Sequence, residues 1–169
     1  MGHGASSLLQ AAFINLNESI EELVTEFRIL YAKTQTPKSS LYSHVKATLE
    51  SLSSDNCYLA IVTNKPDNLC HKVLKELELE HYFDYVIANN GQFAAKPAAD
   101  AIHYLINHFD TEPGISYMVG DTTLDQCAAR EAGVNFVFFS AGYDDGVELS
   151  DNDVVLQCMS DFNKKINLN

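Results

Sequence analysis

Two carboxylates, a hydroxyl and an ammonium stand at the ends of apolar stretches in this chain. Asp121 and Asp125, four residues apart in Gly120-Asp121-Thr122-Thr123-Leu124-Asp125, follow the apolar run from Ile115 to Val119. If the turn there leads straight into a helix, that spacing lets both carboxylates project toward one site, and hard oxygen ligands of this kind suit Mg²⁺. Thr63 and Asn64 close the run Leu59-Ala60-Ile61-Val62, and Lys96-Pro97 comes a short loop after Tyr85-Val86-Ile87-Ala88. A hydroxyl, an ammonium and paired carboxylates after the strands of an α/β chain can hold a phosphoryl group beside a metal ion. Taken singly, each residue has a plainer account. Asp121 and Asp125 would cap a helix and favour its dipole, worth about 0.5–2 kcal/mol for a good cap. Thr63 would be a β-branched residue ending a strand, and Lys96 a solvated loop charge.

The elements that would position these groups alternate along the chain. Ile20, Leu23, Val24, Phe27, Leu30 and Tyr31 recur at helical spacing and predict an amphipathic helix over 19–31. The polar stretch from Thr34 to Ser40 reads as a linker. Beyond it the pattern predicts helices at 44–53, 67–79, 98–109, 123–132 and 160–166, and strands at 58–63, 85–89, 115–119, 134–139 and 154–156. Strands separated by helices imply a three-layer α/β/α Rossmann-like fold, a parallel sheet with right-handed crossovers.

In these motifs the chain resembles the haloacid dehalogenase superfamily of hydrolases, in its phosphoglycolate phosphatase-like branch. Val62-Thr63-Asn64-Lys65-Pro66 is similar to that branch's VTNKP segment, Lys96-Pro97 to its phosphate-binding lysine loop, and Gly120 to Asp125 to its acidic GD(S/T)xxD loop. The resemblance implies that Asp121 binds Mg²⁺ and Asp125 orients the metal or its waters. It implies further that Thr63 donates to the transferring phosphoryl oxygens, that Lys96 neutralises their charge, and that Asn64 contacts the phosphate. It divides the chain into a partial helical cap, 1–38, and a core, 39–169, with Met1-Gly2-His3-Gly4-Ala5 and the following residues similar to a loop and helix inside the cap. Two turns depart from the branch's pattern. Ala99 stands where a second proline is usual after the lysine, and Leu41-Tyr42-Ser43-His44 replaces a Tyr-Pro-Gly turn.

The branch's nucleophile motif, a strand ending in Asp-x-Asp-x-Thr, is not among these residues. Asp151-Asn152-Asp153 precedes an apolar run instead of following one and reads as a polar turn. The expectation is therefore an N-terminally truncated member, with the missing strand belonging between those that end at Thr63 and near Val119. Their unpaired edges would invite direct pairing, a dimer or a strand-donating partner, or aggregation. Two functional classes follow. One is a phosphomonoester hydrolase of phosphoglycolate phosphatase type, Mg²⁺-dependent and working through an aspartyl phosphate, of which this chain is a form inactive alone with weakened Mg²⁺ binding. The other is a non-catalytic phosphate- or partner-binding module, or a degenerate remnant. A receiver domain, which also uses acids, Thr and Lys, wants an early acidic strand end that is lacking here.

Composition fits one sizeable core: 169 residues, 46% hydrophobic and 20% charged. A net charge of −12, from 11 Lys and Arg against 23 Asp and Glu, argues against nucleic acid as a partner and for a divalent cation or a basic partner, with solubility the commoner reason for such a surface; a phosphorylated small molecule is the ligand that the resemblance implies. No apolar run has the length of a membrane span and no signal segment opens the chain, so the expected compartment is the cytoplasm. Cys57, Cys70, Cys127 and Cys158 lack C-x-x-C spacing and read as buried reduced thiols. The near-match of Gly2 to Ser7 to a dinucleotide loop follows no strand, and the Met1-Gly2…Ser6 acylation pattern and the Asn17-Glu18-Ser19 sequon are too short to weigh.

Overall fold

The computed structural model describes Leu9 and residues 19–166. The loop and helix expected over the first residues, and so part of the cap, lie outside the described residues. Helix α1 spans Ile20–Lys33 and is followed, after a short 3₁₀ turn at Lys38–Ser40, by α2, Val45–Ser54. The core then runs β1 Ala60–Pro66, α3 Asp67–Glu76, β2 Tyr85–Asn89, α4 Asp100–His108, β3 Tyr117–Gly120, α5 Thr123–Ala132, β4 Asn135–Phe139, β5 Val154–Leu156 and α6 Phe162–Lys165. Every strand pair is parallel, as the alternation requires.

The strands form two sheets, not one. Strand β1 pairs with β2, and β3 pairs with β4, which pairs with β5. Among the described residues β1 and β3 do not pair with each other, so the inner edges expected to face a further strand stay apart and direct closure is not what the fold does. Helices on both faces hold the two halves together. On one face α2 places Leu49 against Leu74, Leu77, Ala88 and Ile61 of the β1–β2 half, and Leu52 against Val137, Phe139 and Leu156 of the other. On the opposite face α4 packs Ala101 and Leu105 on Ile87, while Ile102 joins Ala128, Ala129, Phe136 and Phe138. Strand β4 is the clearest case of two-faced burial: Phe136 and Phe138 go to one layer, Val137 and Phe139 to the other.

Several boundaries differ from those the pattern predicts. Strand β1 begins at Ala60, because pairing starts with Ala60 opposite Tyr85, and Tyr58 instead stacks on Phe109 with ring centroids 4.4 Å apart. It also runs past Thr63 to Pro66, with a break in register between Val62 and Pro66. Ile115 is not in β3 but closes a 3₁₀ turn, Pro113–Ile115, where Pro113 has no amide to give to a ladder. Residues 159–161 form a 3₁₀ turn before the short α6. The apolar stripe of α1 is only partly covered among the described residues: Val24 is buried and Leu30 is exposed. All four cysteines are free, but they are not uniformly buried, since Cys127 lies on the exposed side of α5. Asp151-Asn152-Asp153 is a turn, as its flanks predict.

Candidate functional site

The parallel ladders bring the C-terminal ends of β1 and β3 and the loop after β2 to one end of the molecule, where ligands bind in open α/β sheets. The register break in β1 separates Val62 from Pro66 by four residues while their partners Ile87 and Asn89 are two apart. Thr63, Asn64 and Lys65 therefore bulge from the ladder. The Thr63 hydroxyl accepts the Lys65 amide at 3.1 Å, which folds this segment into a tight turn.

Asn64 joins that turn to the lysine loop. Its side-chain nitrogen donates to the Lys96 carbonyl at 3.0 Å, and its oxygen accepts the Lys96 amide at 2.8 Å. This two-way bond fixes the backbone of Lys96, and the Lys96–Pro97 bond that follows is cis. The Lys96 ammonium donates to the Val62 carbonyl at 2.8 Å and to Asp125 Oδ1 at 2.6 Å. The pair is largely buried, with side chains 12% and 9% exposed. Lys96 thus bridges the end of β1 and the start of α5, one element from each half-sheet.

Asp125 is a hub. Its Oδ2 accepts the Thr122 hydroxyl at 2.6 Å, the Thr122 amide at 3.1 Å and the Asp121 amide at 3.3 Å. Three residues into α5, it satisfies amides at the helix N-terminus, as the capping account predicts, and pairs with Lys96 as well. Gly120 is required beneath it, because a Cβ there would overlap the Asp125 side chain. Asp121 is held from the other side. Its Oδ2 accepts the Tyr143 amide at 2.8 Å and its carbonyl accepts the Asp144 amide at 3.0 Å. Its Oδ1 takes no hydrogen bond among the described residues.

The donor set can be weighed against Mg²⁺ on this geometry. Among the described residues no group of three or more His, Cys, Asp or Glu side chains converges as a ready-made cage. Mg²⁺ does not need one, since it keeps several waters and binds through one or two carboxylates plus phosphate oxygens. Asp121, with one oxygen uncommitted, fits such a role. Asp125 offers no comparable oxygen, because both are bonded to protein donors.

Pattern reading missed the loop after β4. Gly142, Tyr143, Asp144 and Asp145 wrap the acidic loop, and the available signal was a Gly-Tyr-Asp-Asp-Gly turn directly after the most buried strand. Also missed were the contacts that tie the segment 20–36 to the core. Lys65 Nζ lies 3.2 Å from the Tyr31 hydroxyl and 4.6 Å from its ring centroid. Glu76 Oε2 accepts the Thr36 amide and hydroxyl and the Lys72 ammonium, which also donates to the Thr34 carbonyl.

Comparison with known proteins identifies the family and the fold. The model of the haloacid dehalogenase-like hydrolase family matches residues 1–139. A phosphoglycolate phosphatase of Mannheimia succiniciproducens is 33% identical over 136 residues, 80% of this chain and 61% of that protein, and one of Nitrosococcus oceani is 30% identical over 90% of this chain and 70% of its own length. The chain thus spans less than two thirds of the first of these. The crystal structure of a predicted phosphoglycolate phosphatase from Haemophilus somnus superposes with a TM-score of 0.84 at 26% identity, covering 97% of this chain and 78% of that one. Motifs, fold and relatives converge: this chain belongs to the haloacid dehalogenase-like hydrolase family.

Proposed function

We propose that this chain carries the phosphoryl-holding half of the active site of a phosphomonoester hydrolase of the phosphoglycolate phosphatase type, formed by Thr63, Lys96 and Asp121. The observation that carries this is the buried Lys96–Asp125 pair at 2.6 Å, which joins the loops after β1, β2 and β3 around one point. An ammonium has three N–H bonds. Two go to Val62 and Asp125, and the third is the one to neutralise a phosphoryl oxygen. The Thr63 hydroxyl donates to a second oxygen, and Asn64 acts by fixing the Lys96 backbone. Asp121 would hold Mg²⁺ through its uncommitted oxygen, with Asp125 setting the shape of the acidic loop. The metal, when bound, supplies Lewis-acid charge stabilisation to the phosphoryl group.

None of these groups can attack phosphorus by the family's route, which runs through an aspartyl phosphate. The carboxylate for that step belongs on a strand between β1 and β3, and no Asp-x-Asp-x-Thr occurs in these 169 residues. The 169-residue polypeptide by itself should turn over no phosphomonoester. A chain carrying an added upstream Asp-x-Asp-x-Thr strand should hydrolyse para-nitrophenyl phosphate with Mg²⁺. Metal-dependent hydrolysis by the unextended chain, abolished in Asp121→Ala, would disprove its inactivity; an extended chain that folds with one continuous sheet and stays inert would disprove the phosphatase reading. The divided sheet also supports a second reading, a phosphate- or partner-binding module, for which the unextended chain should bind inorganic phosphate through Thr63 and Lys96.

A further inference from the structure

The loop after β4 runs back along α5 and is fastened to it in three places. Thr123, Gln126 and Arg130, at i, i+3 and i+7, lie on one face of that helix. The Thr123 amide donates to Asp145 Oδ1 at 2.6 Å and its hydroxyl to Asp145 Oδ2 at 3.1 Å. Gln126 donates to the Glu148 carbonyl at 2.7 Å, and Arg130 to Asp153 at 2.7 Å. The first fastening differs from the others in what adjoins it. On the residues just before Asp145, the Tyr143 amide binds the Asp121 carboxylate and the Asp144 amide binds the Asp121 carbonyl, while a Cβ on Gly142 would overlap Asp121. Asp145 therefore closes a ring: Asp121 to Thr123 along the acidic loop, Thr123 to Asp145 by its side chain, and Asp145 back to Asp121 through two backbone amides.

From this ring we infer that Asp145 is a positioning residue for the metal-binding carboxylate. It pins the N-terminus of α5 to the 142–145 turn, so that Asp121 Oδ2 stays on the Tyr143 amide and Oδ1 stays uncommitted. The inference rests on the reading of Asp121 as the Mg²⁺ ligand. Residues that orient a metal ligand without touching the metal typically change affinity by about 10–100-fold when removed.

The test is a titration of the chain with Mg²⁺ alone, followed by amide NMR at Gly120 to Thr123, in wild type, Asp145→Ala and Arg130→Ala. Asp145→Ala should raise the Mg²⁺ midpoint about tenfold and speed hydrogen exchange at the Thr123 amide. Arg130→Ala, which releases the far end of the same loop, should leave the midpoint within about twofold, since it breaks no bond of the ring. A wild-type midpoint in folded Asp145→Ala would overturn the proposal, as would an equal loss in both variants, which would mean loop stability and not positioning. If Asp145→Ala does not fold, Asp145→Ser, which keeps one oxygen for the Thr123 amide, should still weaken the midpoint, and an unchanged one overturns the idea. Should wild-type amides fail to respond to Mg²⁺, or respond unchanged in Asp121→Asn, the reading of Asp121 as a ligand falls and this inference with it.

Discussion

Asp125 satisfies two demands at once. One oxygen pairs with Lys96 and the other takes the hydroxyl and amides at the start of α5, so removal of this carboxylate leaves a buried ammonium and open helix-end amides together. Truncating one partner of a buried ion pair costs about 3–5 kcal/mol, because the other charge stays desolvated. Asp125→Ala should lower the unfolding free energy by about that amount in urea denaturation, and a loss below about 1 kcal/mol would show that Lys96 finds water instead. The double variant Lys96→Met with Asp125→Leu should recover part of the loss, since it removes both charges from the interior.

Two elements carry features that a single substitution can probe. His44 precedes α2 with φ 67°, in the left-handed region, at the position where the related turn pattern has glycine. That conformation costs a non-glycine residue about 1–2 kcal/mol, offset by the greater freedom of glycine in the unfolded chain. His44→Gly should therefore stabilise the chain by up to about 1 kcal/mol, read as a raised urea midpoint at unchanged slope. The second feature is the anchor of the segment after α1. The Lys72 ammonium, and after it the Thr36 hydroxyl and amide, hold the Glu76 carboxyl down at about 2 against an ordinary 4.5. A carboxyl lowered on folding adds stability that is whole above its unfolded value and lost as pH falls through its folded one. The difference in melting temperature between wild type and Glu76→Gln should hold from neutral pH to about 4.5 and shrink as pH drops toward 2. A difference that is flat across that window would count against the anchor.

At the scale of the whole molecule the governing fact is the division of the sheet. Strands β1 and β3 are each paired on one edge only among the described residues, and the packing of α2 and α4, not a strand ladder, spans the two halves. Packing of that kind is non-directional, so it can hold two half-sheets at a distance where a ladder cannot form. Local opening draws on segments with incomplete hydrogen bonding. Amide exchange should be faster over 60–66 and 117–120 than over 135–139, which is paired on both sides, and an added strand between them should slow both. Equal protection of all three segments in an unaided monomer would show that the inner edges are closed in solution.

The sequence by itself determined the order and type of the elements, because hydrophobic periodicity is a local property. It placed β2, α5 and β5 at their observed bounds and Asp121 directly after β3, while Thr63 lies inside β1, which runs on to Pro66, and Lys96 lies in the loop after β2. Boundaries slipped where local and tertiary demands differ: Tyr58 reads as strand but finds a better partner in the Phe109 ring, and Ile115 is drawn into a proline turn. Only the tertiary structure decided which polar groups face one another. The Asn64–Lys96 exchange spans 32 residues, the Lys96–Asp125 pair 29 and the Asp145–Thr123 clamp 22, distances over which no periodicity carries information. It likewise decided that the sheet is split, since strand pairing depends on which edges meet across the core.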